Sequence, residues 1–238
     1  MDFCKTVIHV VQPGDTYYRL AQRYQTTVPD IIMRNPGINP YNLQIGTRLK
    51  ICSGHVETPV QRDEMDLNND MRDAWGEHGF WGSMYLMAEN YELPGASEVS
   101  ERLLKTPEAI SAVFGQFYSQ MMVNQLNSLL MEHVRLARDL FKARKEGLQD
   151  EAAQIDESWE NNAKKIARML SGANNEYSYE GLLKMLDMHL EQMRQQMDTL
   201  TSGNYSGFVN TTDEAQKHLM ELSDELTEGL VKQFYVDR

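Results

Sequence analysis

The hydrophobic pattern of the first fifty residues changes period several times within a short length. Residues 7–11 are a β-branched run that ends at Pro13-Gly14, which is typical of a strand closed by a turn. Two short helices are predicted next, because Asp15-Thr16 and Thr26-Thr27 offer N-cap oxygens and apolar residues follow them at helical spacing. Residues 43–52 then predict a second strand. The segment therefore has the order strand, helix, helix, strand.

From about residue 68 the apolar residues recur at helical periods, which predicts an all-α region. Helices are expected at 69–92, 97–104, 106–145 with a break near Gly115, 149–171, 179–201 and 208–234. Long helices joined by short connections favour an antiparallel bundle. The predicted fold class is α+β: a small βααβ domain at 1–54, a polar linker at 55–67, and an all-α antiparallel helical bundle at 68–238.

The N-terminal segment resembles a LysM domain, a small βααβ module that binds glycans. The motifs VQPGDT, RLAQRY, TTVPDII, RNPGINPYNLQIG and LKI occur in the family's order between residues 7 and 52. The resemblance implies binding of N-acetylglucosamine polymers, peptidoglycan or chitin, in a shallow groove between two loops. The residues that it places in this groove are Gly14, Asp15, Thr16, Tyr17, Asn35, Pro36, Gly37, Ile38 and Asn39.

Both loops combine short polar groups with small apolar side chains, which suits N-acetyl sugars. The same residues are also turn formers: Gly14 and Gly37 allow an unusual backbone, and Asp15 is a capping residue. Tyr17 stands where the family usually has an aliphatic residue. Its ring is either a platform for a sugar or a packing residue.

Charge and composition exclude several classes of partner. Residues 1–54 contain six basic and three acidic residues and carry a net charge of +3. Because the whole chain carries −12, the remainder carries −15. An acidic remainder argues against nucleic acid and against an anionic bilayer as partners. No apolar run approaches the roughly 18 residues of a membrane-spanning helix. We therefore expect no membrane span.

Two cysteines, Cys4 and Cys52, lie at the outer ends of the two predicted strands. Because these strands would pair antiparallel, the two thiols are expected to approach disulfide distance. A disulfide and a pair of reduced thiols both stay open, depending on how oxidising the surroundings are.

Polar side chains interrupt the apolar stripes of four long helices near mid-length: His78, His133, Asn162 and His189. Imidazoles that converge in a bundle core are typical of metal sites, and neutral imidazole is a good ligand for Zn, Fe or Mn. The Glu-x-x-His pairs of a di-iron bundle are absent from these positions. A single divalent metal held by His78, His133 and His189 and a buried hydrogen-bonded network both stay open. His218, on the edge of the last helix's stripe, is a further candidate.

Signatures of catalysis are missing from the sequence. It contains no HExxH, GxSxG, GxxxxGK[ST] or CxxC motif. We therefore assign no catalytic residue and favour a non-catalytic protein.

The sequence MDFCKTVIHVV lacks the features of a secretory signal, so synthesis in the cytoplasm without a signal peptide is expected. A developing bacterial spore is a place where such a protein meets peptidoglycan. The helical region also resembles a domain that follows LysM modules in spore-forming Firmicutes, through His78 with Trp81, RLLKTPEAI, LLMEH, residues 159–163 and His189. The prediction is a LysM anchor that tethers an acidic helical bundle at the spore cortex/coat interface, with spore coat proteins as further partners.

Two other functions stay open at this point. One is a metal-dependent enzyme that acts at the cell wall through the three histidines. The other is a component of a phage or injection-system baseplate.

Overall fold

The N-terminal unit has the predicted order of two strands and two helices. The structure, a computed structural model, describes residues 5–39, 43–53 and 64–235. The unit consists of β1 (Lys5–Val10), α1 (Tyr17–Tyr24), α2 (Val28–Arg34) and β2 (Arg48–Ser53). The two strands pair antiparallel, with Val7 opposite Ile51 and His9 opposite Leu49. Their inward side chains and the two helices enclose a small apolar core of Val11, Tyr17, Leu20, Ala21, Val28, Ile31, Leu49 and Ile51.

Both short helices begin at the threonines that the sequence indicated. The Thr16 hydroxyl accepts a hydrogen bond from the Arg19 N–H at 3.1 Å, and the Thr27 hydroxyl accepts one from the Asp30 N–H at 3.2 Å. These bonds satisfy amides that have no partner within the first helical turn. The caps therefore fix where the loops end and the helices begin.

The second region is all helical, as predicted. Its elements are α3 (Glu64–Asn90), α4 (Ala96–Leu103), α5 (Thr106–Phe114), α6 (Gln120–Lys145), α7 (Gln149–Ala173), α8 (Tyr179–Thr201) and α9 (Tyr205–Phe234). The break expected near Gly115 separates α5 from α6. Helix α3 begins at Glu64, inside the predicted linker, because Leu67 is already buried in the core of the bundle. Residues 55–63 of that linker, and residue 54 before it, lie outside the described residues.

The long helices of the bundle have different main packing partners. Helix α3 packs mainly on α9, α6 packs mainly on α7, and α8 packs on both α9 and α7. The short α5 lies between α3 and α6. The large side chains of Trp159, Phe114 and Phe141 are almost completely buried in this core.

Tyr18 of α1 contacts the helical unit. The ring of Tyr18 stacks on Tyr235 with 5.3 Å between ring centroids and lies 6.4 Å from the ring of Phe117. Within the described ranges, no helix combines the length and the apolar character needed to cross a membrane.

Candidate functional sites

The first predicted glycan loop contains one exposed glycine and one carboxylate that other residues of the domain hold by hydrogen bonds. Gly14 is exposed and adopts a positive φ of 86°. The Asp15 carboxylate lies 2.6 Å from Nε2 of His9, accepts the Gln12 N–H at 2.7 Å, and is 3.3 Å from Nη1 of Arg23. The side chain of Asp15 is only 4% exposed. Its main contacts are therefore with the protein.

The pKa of Asp15 is lowered by these contacts. Burial alone would raise it, but the hydrogen bond from the Gln12 N–H, the contact with His9 and the charge of Arg23 together outweigh burial. The ring of His9 also lies within hydrogen-bonding distance of the Tyr24 hydroxyl, at 2.8 Å from Nδ1. The network supports the turn from β1 into α1.

Two further residues of the first loop serve the fold. Tyr17 is 4% exposed and lies in the apolar core, so its ring offers no platform to a sugar. Burial raises the pKa of its hydroxyl to about 12. Thr16 is half-buried, and its hydroxyl caps α1. Tyr17 is thus the packing residue that the sequence left as one of two alternatives.

The second loop is fastened to β2 by Asn35. This side chain is 6% exposed; its Nδ2 donates to the carbonyls of Ile31 and Lys50 at 2.7 and 2.8 Å, and its Oδ1 accepts the Lys50 N–H at 2.7 Å. All of its hydrogen-bonding capacity except one lone pair is used by the backbone. Asn35 therefore belongs to the framework of the domain.

The surface that solvent reaches in the two loops is smaller than the predicted set. Pro36, Gly37 and Asn39 are exposed, and Gly37 has a positive φ of 90°. Ile38 is half-buried and packs against the same core as Tyr17. Together with Gly14, these residues form what we call the loop surface: Gly14, Pro36, Gly37, Ile38 and Asn39.

His9 and its network were missed in the sequence analysis, although the strand pattern contained the signal. Val7, His9 and Val11 alternate with exposed Ile8 and Val10, which places His9 on the inward face of β1. A histidine on the inward face of a strand needs a polar partner. The nearby Asp15 is that partner.

The predicted histidines of the bundle meet in space. His78 of α3, His133 of α6 and His189 of α8 are 8%, 4% and 2% exposed. Their ring centroids are 5.5–6.1 Å apart, and one ring nitrogen from each lies within 4.8 Å of those of the other two. We call this group the histidine cluster. No carboxylate or thiolate of a described residue joins it.

A small cavity lies beside the histidine cluster. Its volume is about 10 Å³, and besides the three imidazoles it is lined by Trp75 and by apolar side chains such as Leu130 and Ile166. This volume is close to the minimum that holds one water molecule. The cavity therefore admits one ion or one water.

Hydrogen bonding leaves nitrogens of the cluster unused. Nδ1 of His78 lies 3.1 Å from the Thr106 hydroxyl. Nδ1 of His133 and Nδ1 of His189 are buried without a hydrogen-bond partner among the described residues. Burial of polar nitrogens without partners costs free energy, so such atoms need an explanation.

Burial also keeps the three rings neutral. It lowers the pKa of His78 to about 4 and that of His133 to about 3, and the neighbouring His78 lowers the pKa of His133 further. The pKa of His189 is lowered well below its ordinary value, first by burial and then by the neighbouring rings of His133, His78 and His218. A neutral imidazole has a free lone pair, which is the form that binds metals.

The other polar residues of the stripes lie beside the histidine cluster, since Asn162 interacts with His133 and His218 with His189, but neither belongs to the three converging rings. Asn162 is fully buried and donates through Nδ2 to the Leu129 carbonyl at 3.0 Å. Nε2 of His218 is 2.8 Å from the Met185 carbonyl. His218 is therefore held by the backbone of α8 and does not complete the cluster.

The N-terminal unit has the architecture of a small βααβ carbohydrate-binding module, and the comparison with known families agrees. A family model described as LysM domain matches residues 9–51. This match supports binding to N-acetylglucosamine polymers of the peptidoglycan and chitin type in general. Neither the curated proteins nor the solved structures compared with the chain gave a match. The resemblance of the helical region to a domain of spore-forming Firmicutes stays a prediction.

The structure describes the disulfide bonding of only one of the two cysteines. Cys52, on β2, is disulfide-bonded, and no cysteine of the described residues is free. Cys4 lies outside the described residues. The pairing of Cys4 with Cys52 stays a prediction.

Proposed function

We propose that the protein is a non-catalytic anchor whose LysM domain binds peptidoglycan and holds the acidic helical domain on it. The observation that carries the proposal is the family match over residues 9–51, together with the exposed residues that both predicted loops contain. Exposed backbone at Gly14 and Gly37 offers hydrogen-bonding groups to a sugar, the Gly14 carbonyl also accepting from Nη1 of Arg19 at 2.7 Å. Pro36 and Ile38 offer apolar contact to an acetyl methyl.

Burial and hydrogen bonding divide the residues of the predicted groove into exposed ones and ones that the protein itself engages. Asp15, Tyr17 and Asn35 are engaged by the protein itself, as the distances and burial above describe. We therefore propose that the loop surface makes the sugar contacts and that these three residues hold it in place.

The polymer that we propose is the peptidoglycan of the spore cortex, with coat proteins as partners of the helical domain. The support for this setting is the resemblance of the helical region to domains of spore-forming Firmicutes. The acidic charge of that region suits a partner with basic patches rather than a second polyanion.

The test is retention of the full-length protein on purified cortex peptidoglycan, with chitin as a second polymer. We expect the double variant Pro36→Ala/Asn39→Ala to lose most of its retention. The control Ile8→Thr changes a half-exposed residue on β1 away from both loops and should bind as the unmodified chain does. Equal retention of all three proteins would remove the loop surface as the binding site. Chitin retention without peptidoglycan retention would remove the cortex from the proposal.

The histidine cluster raises a second candidate function, that of a metal-dependent enzyme acting at the cell wall. The size of the cavity argues against it, because about 10 Å³ holds at most one water and admits no part of a glycan. All three rings are also buried. We therefore propose the anchor and treat the cluster separately.

A further inference from the structure

We propose that His78, His133 and His189 bind one nitrogen-preferring transition-metal ion, Zn²⁺ being the reference ion, and that this ion ties three helices together. The proposal concerns the helical domain and is independent of glycan binding. It rests on the convergence of the three ring nitrogens, on the small cavity beside them, and on the unpartnered nitrogens of two rings.

The donor set selects the kind of ion. Three neutral imidazoles suit zinc, copper, iron or nickel, whereas Mg²⁺ and Ca²⁺ need oxygen ligands, and Mn²⁺ prefers them. No oxygen ligand is supplied by the described acidic side chains. Glu132, adjacent to His133 in sequence, is directed to the surface and lies 3.5 Å from Lys165. The site therefore discriminates against the hard cations and also against Mn²⁺.

The geometry is close to that of a metal site and has to contract when an ion binds. Zinc–nitrogen bonds of about 2.0–2.1 Å in a tetrahedron place two ligand nitrogens about 3.3 Å apart. The three nitrogens lie within 4.8 Å of one another, a distance that side-chain rotations can close.

One ligand is already oriented by a neighbouring side chain. The Thr106 hydroxyl donates to the Leu103 carbonyl at 2.9 Å, so it accepts the bond from Nδ1–H of His78. Nε2 of His78 then carries the lone pair. Metal-bound histidines ordinarily have their second nitrogen held in this way.

The helices that carry the cluster have different main packing partners. Helix α3 packs mainly on α9, α6 on α7, and α8 on α7 and α9. Three bonds to one ion would join α3, α6 and α8 directly in the middle of the bundle. We therefore infer a structural role, in which bound metal raises the resistance of the helical domain to unfolding.

The experiment uses the full-length protein with three measurements. Elemental analysis of the purified chain should find about one equivalent of zinc or another transition metal. After the bound metal has been removed with a chelator, Co²⁺ should bind and give the visible absorption of a low-coordinate nitrogen site. Zn²⁺ should raise the melting temperature of the metal-free protein, and Mg²⁺ should not. His133→Gln should weaken Co²⁺ binding at least about tenfold. His218→Gln is the matched control, a buried histidine outside the cluster, and should bind as the unmodified chain does.

Each result decides the proposal. It is overturned if the unmodified chain neither contains a transition metal nor binds Co²⁺ with that absorption, or if His133→Gln binds Co²⁺ as tightly as the unmodified chain. Equal losses in His133→Gln and His218→Gln would also overturn it, because the effect would then be general. If His133→Gln does not fold, His189→Gln takes its place. If neither variant folds, the cobalt spectrum of the unmodified chain decides whether the site binds metal. None of these outcomes depends on retention by peptidoglycan.

Discussion

Thr106 determines the tautomer of His78. The hydroxyl of Thr106 has one proton, which it donates to the Leu103 carbonyl at 2.9 Å, and it lies 3.1 Å from Nδ1 of His78. Nδ1 of His78 must therefore carry the ring proton. This hydrogen bond connects the first residue of α5 to the middle of α3. The Thr106 hydroxyl therefore decides that the free lone pair of His78 is on Nε2.

Thr106→Val should weaken metal binding without disturbing the fold. Valine has nearly the shape of threonine but cannot accept the His78 proton, so we expect an affinity loss of about 10- to 100-fold. The free energy of unfolding of the metal-free protein should fall by about 1–3 kcal/mol, because a buried donor loses its partner. A competition titration against a chromogenic chelator and a denaturant titration measure the two effects.

Ser111→Ala is the control for this change. Ser111 lies on the same helix, is equally buried, and donates only to the Glu108 carbonyl at 3.1 Å. We expect its metal affinity to equal that of the unmodified chain. An unchanged affinity in Thr106→Val would show that the hydroxyl does not position His78.

Asn35→Ala should unfold the LysM domain locally rather than remove one sugar contact. It deletes three hydrogen bonds to the α2 and β2 backbone and leaves the Lys50 N–H without a partner, a loss of about 3 kcal/mol. All three tryptophans lie in the helical region, so amide hydrogen exchange of β1 and β2 is the suitable measurement. Gln44→Ala, an exposed amide in the same connection, should leave that exchange unchanged. Protected strands in Asn35→Ala would contradict the framework role.

The sequence could predict the LysM elements but not which loop residues are buried. Thr16 and Thr27 mark helix starts through local hydrogen bonds, so their positions are readable without tertiary structure. Tyr17 and Asn35 were placed in the groove by the resemblance to the LysM family, which assigns whole loops to sugar binding. Their burial depends on contacts with Ile31 and β2 across the domain, which no local pattern contains.

The same distinction applies to the helical domain. The break near Gly115 and the helix ends follow from local residues, and the mid-length histidines predicted a convergence in the core. The sequence did not reveal which helices are neighbours. His218 and Asn162 therefore looked equivalent to the other candidates, although each bonds to a backbone carbonyl instead.

Acid should destabilise the LysM domain through Asp15. Because its pKa in the folded protein is below the ordinary 3.8, Asp15 stabilises the fold fully above about pH 4, and this contribution is lost as the pH falls through the lowered pKa. Hydrogen exchange of β1 and β2 between pH 5 and pH 2, corrected for intrinsic rates, measures the loss. Asp15→Asn should be less stable at pH 5 and should show a shallower decline. Parallel declines in both proteins would assign the acid sensitivity to another group.

Reduction should weaken the LysM domain if the predicted disulfide closes it. Peptide mapping under non-reducing conditions should find Cys52 linked to Cys4. A loop of about 48 residues would stabilise the domain by roughly 3–4 kcal/mol in the chain-entropy model. Strand hydrogen exchange should therefore accelerate in the presence of a reductant. The double variant Cys4→Ser/Cys52→Ser should exchange fast under both conditions, and an unmodified chain insensitive to the reductant would contradict the stabilising role of the bridge.

Gly229→Ala should be the most damaging small substitution in α9. A methyl group at Gly229 would overlap the ring of Tyr177, which is itself buried and donates a hydrogen bond to the Leu226 carbonyl. Gly76 of α3 is the matched control, since its added methyl group would meet only the flexible end of Met220, at 3.6 Å. Gly229→Ala should lower the free energy of unfolding by at least about 2 kcal/mol, because overpacking displaces Tyr177. Gly76→Ala should raise it by about 0.5–1 kcal/mol, because alanine favours the helix. Denaturant titration followed by tryptophan fluorescence measures both, and similar effects in the two variants would mean that the loop carrying Tyr177 is not packed against α9.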